Sequence, residues 1–518
     1  MPDKVLLIVI DQFRADCLMG AMADVAPLPN LQALMGDATS FENHFTVTTP
    51  CGPSRASLLT GLYAMNHRSV RNGTPLSSSH TTVGTHMRSA GYEPMLFGYT
   101  DASADPGGLH PNDPDLKNYE GVAPGFSEIV RLRFENPGSW VGYLKRNGYR
   151  IPPNYWDLYK PTLDPGTATS ADPAGSPIRS PAMYKSEDSD TAYLTHRTIE
   201  ELSARESESW FSLVTYIRPH PPFVAPAPYN SLYAPQSIPP PYGDKTIAQL
   251  RTVHPFYSAY FSEPSNIGLY IGFDGELDAL TVEHAAELRA VYLGLAREVD
   301  DHIGRLMQYL RDTQQYDDTL IIVTADHGEM LGDQHLWGKN CPFDAALKIP
   351  LIIRDPRQAD SFGKCVTALT ESVDIAPTLT DWANTELRRS FDGRSLLPLL
   401  SGNRPANWRE HVYCEAELGE LDVTTRFENA WQLPPQQTNF ALLRNDRYKY
   451  VHFNGGIPPL LYDLSRDGQE LDNLAGDQAY AQHLQQLASQ MIDHRMTNAH
   501  RALGNCQLTK NGLYSVGL

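Results

Sequence analysis

At 518 residues the chain exceeds the usual size of one domain, and its apolar (41%) and charged (20%) fractions are those of a globular protein with a large core. A formal charge of -19 argues against nucleic acid or an anionic membrane as partner, and any anionic substrate would need a local cluster of cations to enter. Six widely scattered cysteines without a C-x-x-C pair, and no apolar run of membrane-spanning length, lead us to expect a cytoplasmic protein with reduced thiols.

Residues 5–10 form a continuous apolar, β-branched run, the pattern of a strand buried on both faces of a parallel sheet. The run stops at Asp11-Gln12. Open α/β sheets place ligands beyond the carboxyl ends of their strands, so polar residues directly after such runs are site candidates. The spacing predicts a helix over 81–90 and a strand over 95–99, followed by Thr100-Asp101. From 102 to 189 the pattern dissolves into Pro, Gly, Ser and Asp, a surface excursion expected to pack over the site.

A helix over 191–204 leads to a strand over 210–217 ending at Arg218-Pro219-His220-Pro221-Pro222-Phe223. A second Pro- and Tyr-rich excursion (224–275) precedes a long helix over 280–310. A fourth apolar strand, 319–323, ends at Thr324-Ala325-Asp326-His327-Gly328-Glu329, with Lys339 close behind. Alternation of strand and helix predicts an α/β catalytic domain over 1–400, with a central, mostly parallel sheet covered by helices. Residues 401–518 change to short strand-like segments and one helix, a smaller C-terminal α+β subdomain with a small antiparallel sheet. Its last twenty residues have no core pattern and are expected to dock on a neighbouring subunit, giving a homo-oligomer, dimer or tetramer.

Four predicted strands thus end in Asp11-Gln12, Tyr99, His220 and Asp326-His327. Two aspartates, an amide and an imidazole suit a divalent metal, because the carboxylates neutralise the ion and the neutral ligands complete its shell. Between the first two strands lies Thr49-Pro50-Cys51-Gly52-Pro53-Ser54-Arg55, with Leu58-Leu59-Thr60-Gly61 behind it. Pro53 is a good first-turn residue, so Cys51 is expected at a helix N-terminus, where an anion is favoured.

The spacing C-x-P-x-R with the Leu-Thr-Gly extension resembles the maturation signature of the sulfatase family, whose fold is that of alkaline phosphatase. The resemblance implies oxidation of Cys51 to formylglycine by a formylglycine-generating enzyme, and makes its hydrate the nucleophile. It further implies one divalent metal on Asp11, Gln12, Asp326 and His327, catalytic roles for Arg55, His220 and Lys339, and substrate contacts from Asn72, Tyr99 and Asp101. His327, where an oxygen ligand is common in the family, moves the preference from Ca2+ toward Mn2+. The Asp-Gln pair, Asn66-His67-Arg68 and the Arg-Pro-His-Pro-Pro-Phe segment look like the phosphonate monoester hydrolase branch. In that branch Gly-Tyr-Thr is followed by threonine, and here Asp101 stands instead. An acid facing the substrate repels some anions, so the expectation is an arylsulfatase overlapping with phosphonate monoester and phosphodiester hydrolysis, the phosphonate activity as main one being the alternative.

Overall fold

The computed structural model describes residues 4–162, 177–263, 268–269, 280–385, 391–499, 506–510 and 512–515. Strands in chain order are β1 (Lys4–Ile10), β2 (Thr39–Phe41), β3 (His44–Phe45), β4 (Pro94–Gly98), β5 (Ser127–Arg131), β6 (Trp210–Tyr216), β7 (Thr319–Ala325), β8 (Leu351–Arg354), β9 (Cys365–Val366) and β10 (Thr370–Glu371). Eight of them make one sheet in the order β5-β4-β6-β1-β7-β8-β2-β9, while β3 and β10 pair separately. The first five in that order run parallel, and β8 is antiparallel to both of its neighbours.

Alternation along β1 divides the core. Leu6, Ile8 and Ile10 join the cluster on one face, Val5, Leu7 and Val9 that on the other. The first face is covered by α2 (Asp190–Ser203) and α3 (Val282–Asp312), the second by α1 (Cys51–Thr60) and α4 (Ile375–Trp382). Both faces being dry explains why these strands read as unbroken apolar runs.

The C-terminal part adds β11 (Val412–Glu417), β12 (Asn439–Arg444), β13 (Tyr448–Phe453) and β14 (Leu460–Asp463), an antiparallel meander, and α5 (Ala481–Asn498). Val412, Phe440, Leu442 and Val451 continue the first core cluster without a break, and Leu487 and Met491 of α5 cover the other side with Leu443 and Tyr450. Fully buried Lys449 reaches Asp344 at 2.7 Å, tying the meander to the main sheet. The tail, patternless in sequence, forms a two-stranded hairpin, β15 (Cys506–Thr509) with β16 (Gly512–Ser515).

The excursion read over 102–189 is not all surface. It holds β5, which extends the main sheet past β4, and a helix over Gly138–Arg146. β5 is an edge strand with only Val130 fully buried, so it lacks the apolar run that betrays its neighbours.

Candidate active site

Register brings the sequence-distant residues together. Ile10 pairs with Tyr216 on one side and Ala325 on the other, so Asp11, Ile217 and Asp326 leave the sheet at one level. The Asp11 N–H donates to Tyr216 O at 3.0 Å, and β4 delivers Tyr99 to the same edge. Above it α1 begins at Cys51 itself, with Pro53 in the first turn, as the sequence leads one to expect. Gly61, in the left-handed region at φ 70°, ends it, its N–H donating to Ser57 O at 2.9 Å. Every residue of α1 is buried, which is why the helix shows little amphipathic pattern.

Asp11, Cys51, Asp326 and His327 are buried with ligand atoms within 4.8 Å of one another. Cys51 Sγ lies 3.2 Å from His327 Nε2 and 3.9 Å from Asp11 Oδ1. His327 Nδ1 donates to Gly328 O at 3.0 Å, which leaves the Nε2 lone pair facing the two carboxylates. Burial holds this imidazole below its usual pKa, in the neutral form a metal needs. Burial and repulsion from Asp326 push Asp11 up. Two buried, mutually repelling carboxylates with an aimed imidazole are a donor set that a divalent cation fits.

Arg55 is the local counter-charge. Its Nε donates to Asp326 Oδ2 at 3.0 Å and its Nη2 to Asp11 Oδ2 at 3.2 Å and Tyr99 OH at 2.9 Å, with the guanidinium 4.1 Å from the Tyr99 ring centre. Tyr99 OH in turn donates to Asp11 Oδ2. Asn72 Oδ1 accepts the Gly52 N–H at 2.9 Å, fixing the first turn of α1. A Cβ at Gly52 would lie 3.0 Å from that oxygen and 3.2 Å from Asp101 O, so only glycine lets the three segments approach.

Asp101, at φ 51°, is buried with Oδ2 3.8 Å from Arg55 Nε, and Oδ1 has no hydrogen-bond partner among the described residues. Burial pushes its carboxyl well above the usual range. Burial and then Asp11 likewise push the Cys51 thiol up, so the unmodified side chain is a poor thiolate nucleophile.

Lys339 Nζ donates to Gln12 Oε1 at 2.6 Å. Burial opposes its charge, but Cys51, Asp11, Asp326 and Glu329 outweigh it and hold its pKa above the ordinary lysine value. Gln12 reaches the cluster through its backbone, donating to Asp326 Oδ1 at 3.0 Å, while its side-chain oxygen is held by Lys339. His220 Nδ1 donates to Pro221 O at 2.6 Å, which leaves Nε2 as the free nitrogen. Burial and then Lys339 depress its pKa well below the usual value. Arg218, fully buried and paired with Asp190 at 3.1 Å, sets that segment by donating to the His220 and Pro222 carbonyls, both at 3.1 Å.

His220, Lys339 and Gln12 open on a cavity of about 520 Å³ walled by Phe134, Trp156, Tyr260 and Trp337. Phe134 and Trp156 come from the first excursion and Tyr260 from the second. Sequence reasoning missed Glu329, which accepts from Gln12 Nε2 and from Leu331 N at 3.0 Å and so orients the amide. Its only signal was a carboxylate two places beyond His327.

The sulfatase family model matches residues 3–385, and that of the N-sulphoglucosamine sulphohydrolase C-terminal region matches 332–497. The chain belongs to the sulfatase family, within the alkaline phosphatase superfamily, and is an ester hydrolase of that family. It is 36% identical over 515 residues to the multifunctional alkaline phosphatase superfamily protein PehA of Trinickia caryophylli, covering 98% of both chains. Among solved structures it superposes on the phosphonate monoester hydrolase of Silicibacter pomeroyi with a TM-score of 0.93 at 46% identity, and on that of Agrobacterium radiobacter with 0.92 at 36%, each over 99% of both chains. An arylsulfatase of Clostridium perfringens is 25% identical over 95% of this chain and 94% of its own.

Proposed function

We propose that the protein is a formylglycine- and metal-dependent hydrolase acting chiefly on phosphonate monoesters and phosphodiesters, with overlapping action on aryl sulfates. The observation that carries this reading is the buried cluster of Asp11, Asp326 and His327 around Cys51, at the start of α1. The expected order put sulfate first because of an acid at position 101. Two considerations support the reverse. The phosphonate monoester hydrolases of Silicibacter pomeroyi and Agrobacterium radiobacter match this chain end to end. Burial also drives Asp101 toward its neutral form, which donates a hydrogen bond to an anionic oxygen instead of repelling it.

Once present, the hydrated aldehyde at position 51 supplies the attacking hydroxyl and the second hydroxyl whose collapse releases the product, while a divalent ion, Mn2+ by its imidazole ligand, supplies Lewis acidity. Asp11, Asp326 and His327 would hold that ion, with Gln12 beside them. Arg55 fixes both carboxylates, and its charge favours their ionised forms against burial. Lys339, which stays protonated, binds a nonbridging oxygen and gives its proton to the departing alkoxide. The sequence left that role open between His220 and Lys339. A neutral His220 whose Nδ1 proton is committed to Pro221 has only a lone pair at Nε2 and no proton to give, which leaves Lys339 as the donor. Asn72 and Tyr99 hold Gly52 and Arg55 in place.

Maturation by a formylglycine-generating enzyme, a cytoplasmic setting and assembly into a homo-oligomer through the tail complete the reading. Conversion lowers the intact mass by about 18 Da at Cys51, and activity tracks the converted fraction. A fully active protein of unshifted mass, or an active Cys51→Ala variant, would sink it.

A further inference from the structure

The cavity beyond the reacting groups carries a charge they do not need. Phe134 packs edge-on against His220 at 5.1 Å and against Trp156 at 4.8 Å, giving one aromatic wall that starts at the catalytic groups. Trp337, two residues before Lys339, lines the same cavity and is locked to Tyr260, whose hydroxyl donates to Trp337 O at 2.8 Å and accepts from Trp337 N at 3.0 Å. Beyond Tyr260 stands Arg426, half-buried and lining the same cavity. Its Nη1 donates to Tyr260 O at 2.6 Å and its guanidinium lies 5.7 Å from the Tyr260 ring centre. Nε and Nη2, the other edge of the fork, have no partner among the described residues. A planar guanidinium anchored by one nitrogen and open along one edge is built to receive a carboxylate through two parallel hydrogen bonds.

The surroundings make that cation informative. In a chain of net charge -19, a cation in a substrate cavity answers a negative group on the ligand. Lys339 is engaged with Gln12 and the reacting ester, so Arg426 is left for the other end. We infer that this cavity is a leaving-group subsite for aryl esters bearing a carboxylate: the ring lies between the Phe134–Trp156 and Tyr260–Trp337 walls, and Arg426 binds the carboxylate. The inference deepens the proposed hydrolase reading and rests on it for the direction in which the substrate lies. Arg426 is a specificity-determining residue here and touches no reacting atom.

The test uses the metal-loaded, converted protein and two methylphosphonate monoesters, of 3-hydroxybenzoate and of 3-hydroxybenzamide, which share size and shape but differ in charge. Wild type is expected to favour the carboxylate ester in kcat/KM by about tenfold or more, and Arg426→Met to lower that carboxylate-to-amide ratio by a similar factor. Arg426→Lys, which keeps the charge and loses the fork, should fall between, and it serves if the methionine variant does not fold. In parallel, calorimetry measures the Kd of free 3-hydroxybenzoate and 3-hydroxybenzamide on the same proteins. If wild type cleaves neither ester, the hydrolase reading fails, while tighter binding of the benzoate that Arg426→Met abolishes still upholds the subsite. Equal ratios in wild type and Arg426→Met, in turnover and in binding, overturn it.

Discussion

Arg55 is the residue whose removal the structure prices most clearly. Its guanidinium is buried, 3.0 Å from Asp326, 3.2 Å from Asp11 and 2.9 Å from the Tyr99 hydroxyl, and all three partners are themselves buried. Arg55→Ala strips the counter-charge from two carboxylates that already repel one another, and breaking a buried ion pair from one side costs about 3–5 kcal/mol. Arg55→Lys keeps the charge, but an ammonium cannot bond Asp11, Asp326 and Tyr99 at once or lie flat on the Tyr99 ring. About 1–3 kcal/mol is expected from the lost charge-assisted bonds. Urea unfolding of the metal-free proteins reads these costs without interference from a bound cation. The order wild type, Arg55→Lys, Arg55→Ala should appear in the midpoints, and kcat/KM of the converted, metal-loaded proteins should fall in the same order, by about a hundredfold or more for alanine. An Arg55→Ala protein within about 1 kcal/mol of wild type would refute the claim that this arginine holds the carboxylates in place.

Burial pushes the Asp101 carboxyl toward the uncharged form that an amide imitates, so in Asp101→Asn phosphonate monoester kcat/KM should stay within about tenfold of wild type; a loss beyond a hundredfold would mean that the ionised carboxylate is required. Lys339→Ala should slow esters of aliphatic alcohols by about 10²–10⁴-fold and nitrophenyl esters far less, because only the former need a proton to depart; equal losses on both would remove Lys339 from proton donation. Glu298 is fully buried on α3, and burial raises its carboxyl to about 8. A folded pKa above the unfolded value favours the fold at low pH and loses that contribution as pH rises through about 8, so stability should fall by up to about 5 kcal/mol between pH 4.5 and 8. Glu298→Gln should flatten that fall in a urea series across the range, and an unchanged slope would contradict it.

What the sequence discloses and what it hides divide along a physical line. β1, β6 and β7 are legible because strands buried on both faces are mostly apolar, and the polar residues a few places past them, Asp11, His220 and Asp326, mark the carboxyl edge of the sheet. Cys51 and Arg55 are legible because their C-x-P-x-R spacing resembles the sulfatase signature, and both lie on α1. β5 is hidden because an edge strand needs only one buried side chain in five. Asp101 can be seen as an acid, but the burial that pushes its carboxyl up, against the pull of Arg55, is a property of tertiary packing. Glu329 bonds Gln12 and Arg426 bonds Tyr260, partners 317 and 166 positions away, and no local pattern records such contacts.

We propose a phosphonate-preferring hydrolase built on this sulfatase framework. The most direct measurement is kcat/KM for one aryl leaving group carried as methylphosphonate, phosphodiester and sulfate, on Mn2+-loaded protein whose conversion at Cys51 has been measured by mass. The phosphonate and the diester are expected ahead of the sulfate by about tenfold or more. A sulfate preference of several decades would make the protein an arylsulfatase and would mean that Asp101 meets the substrate as a charge.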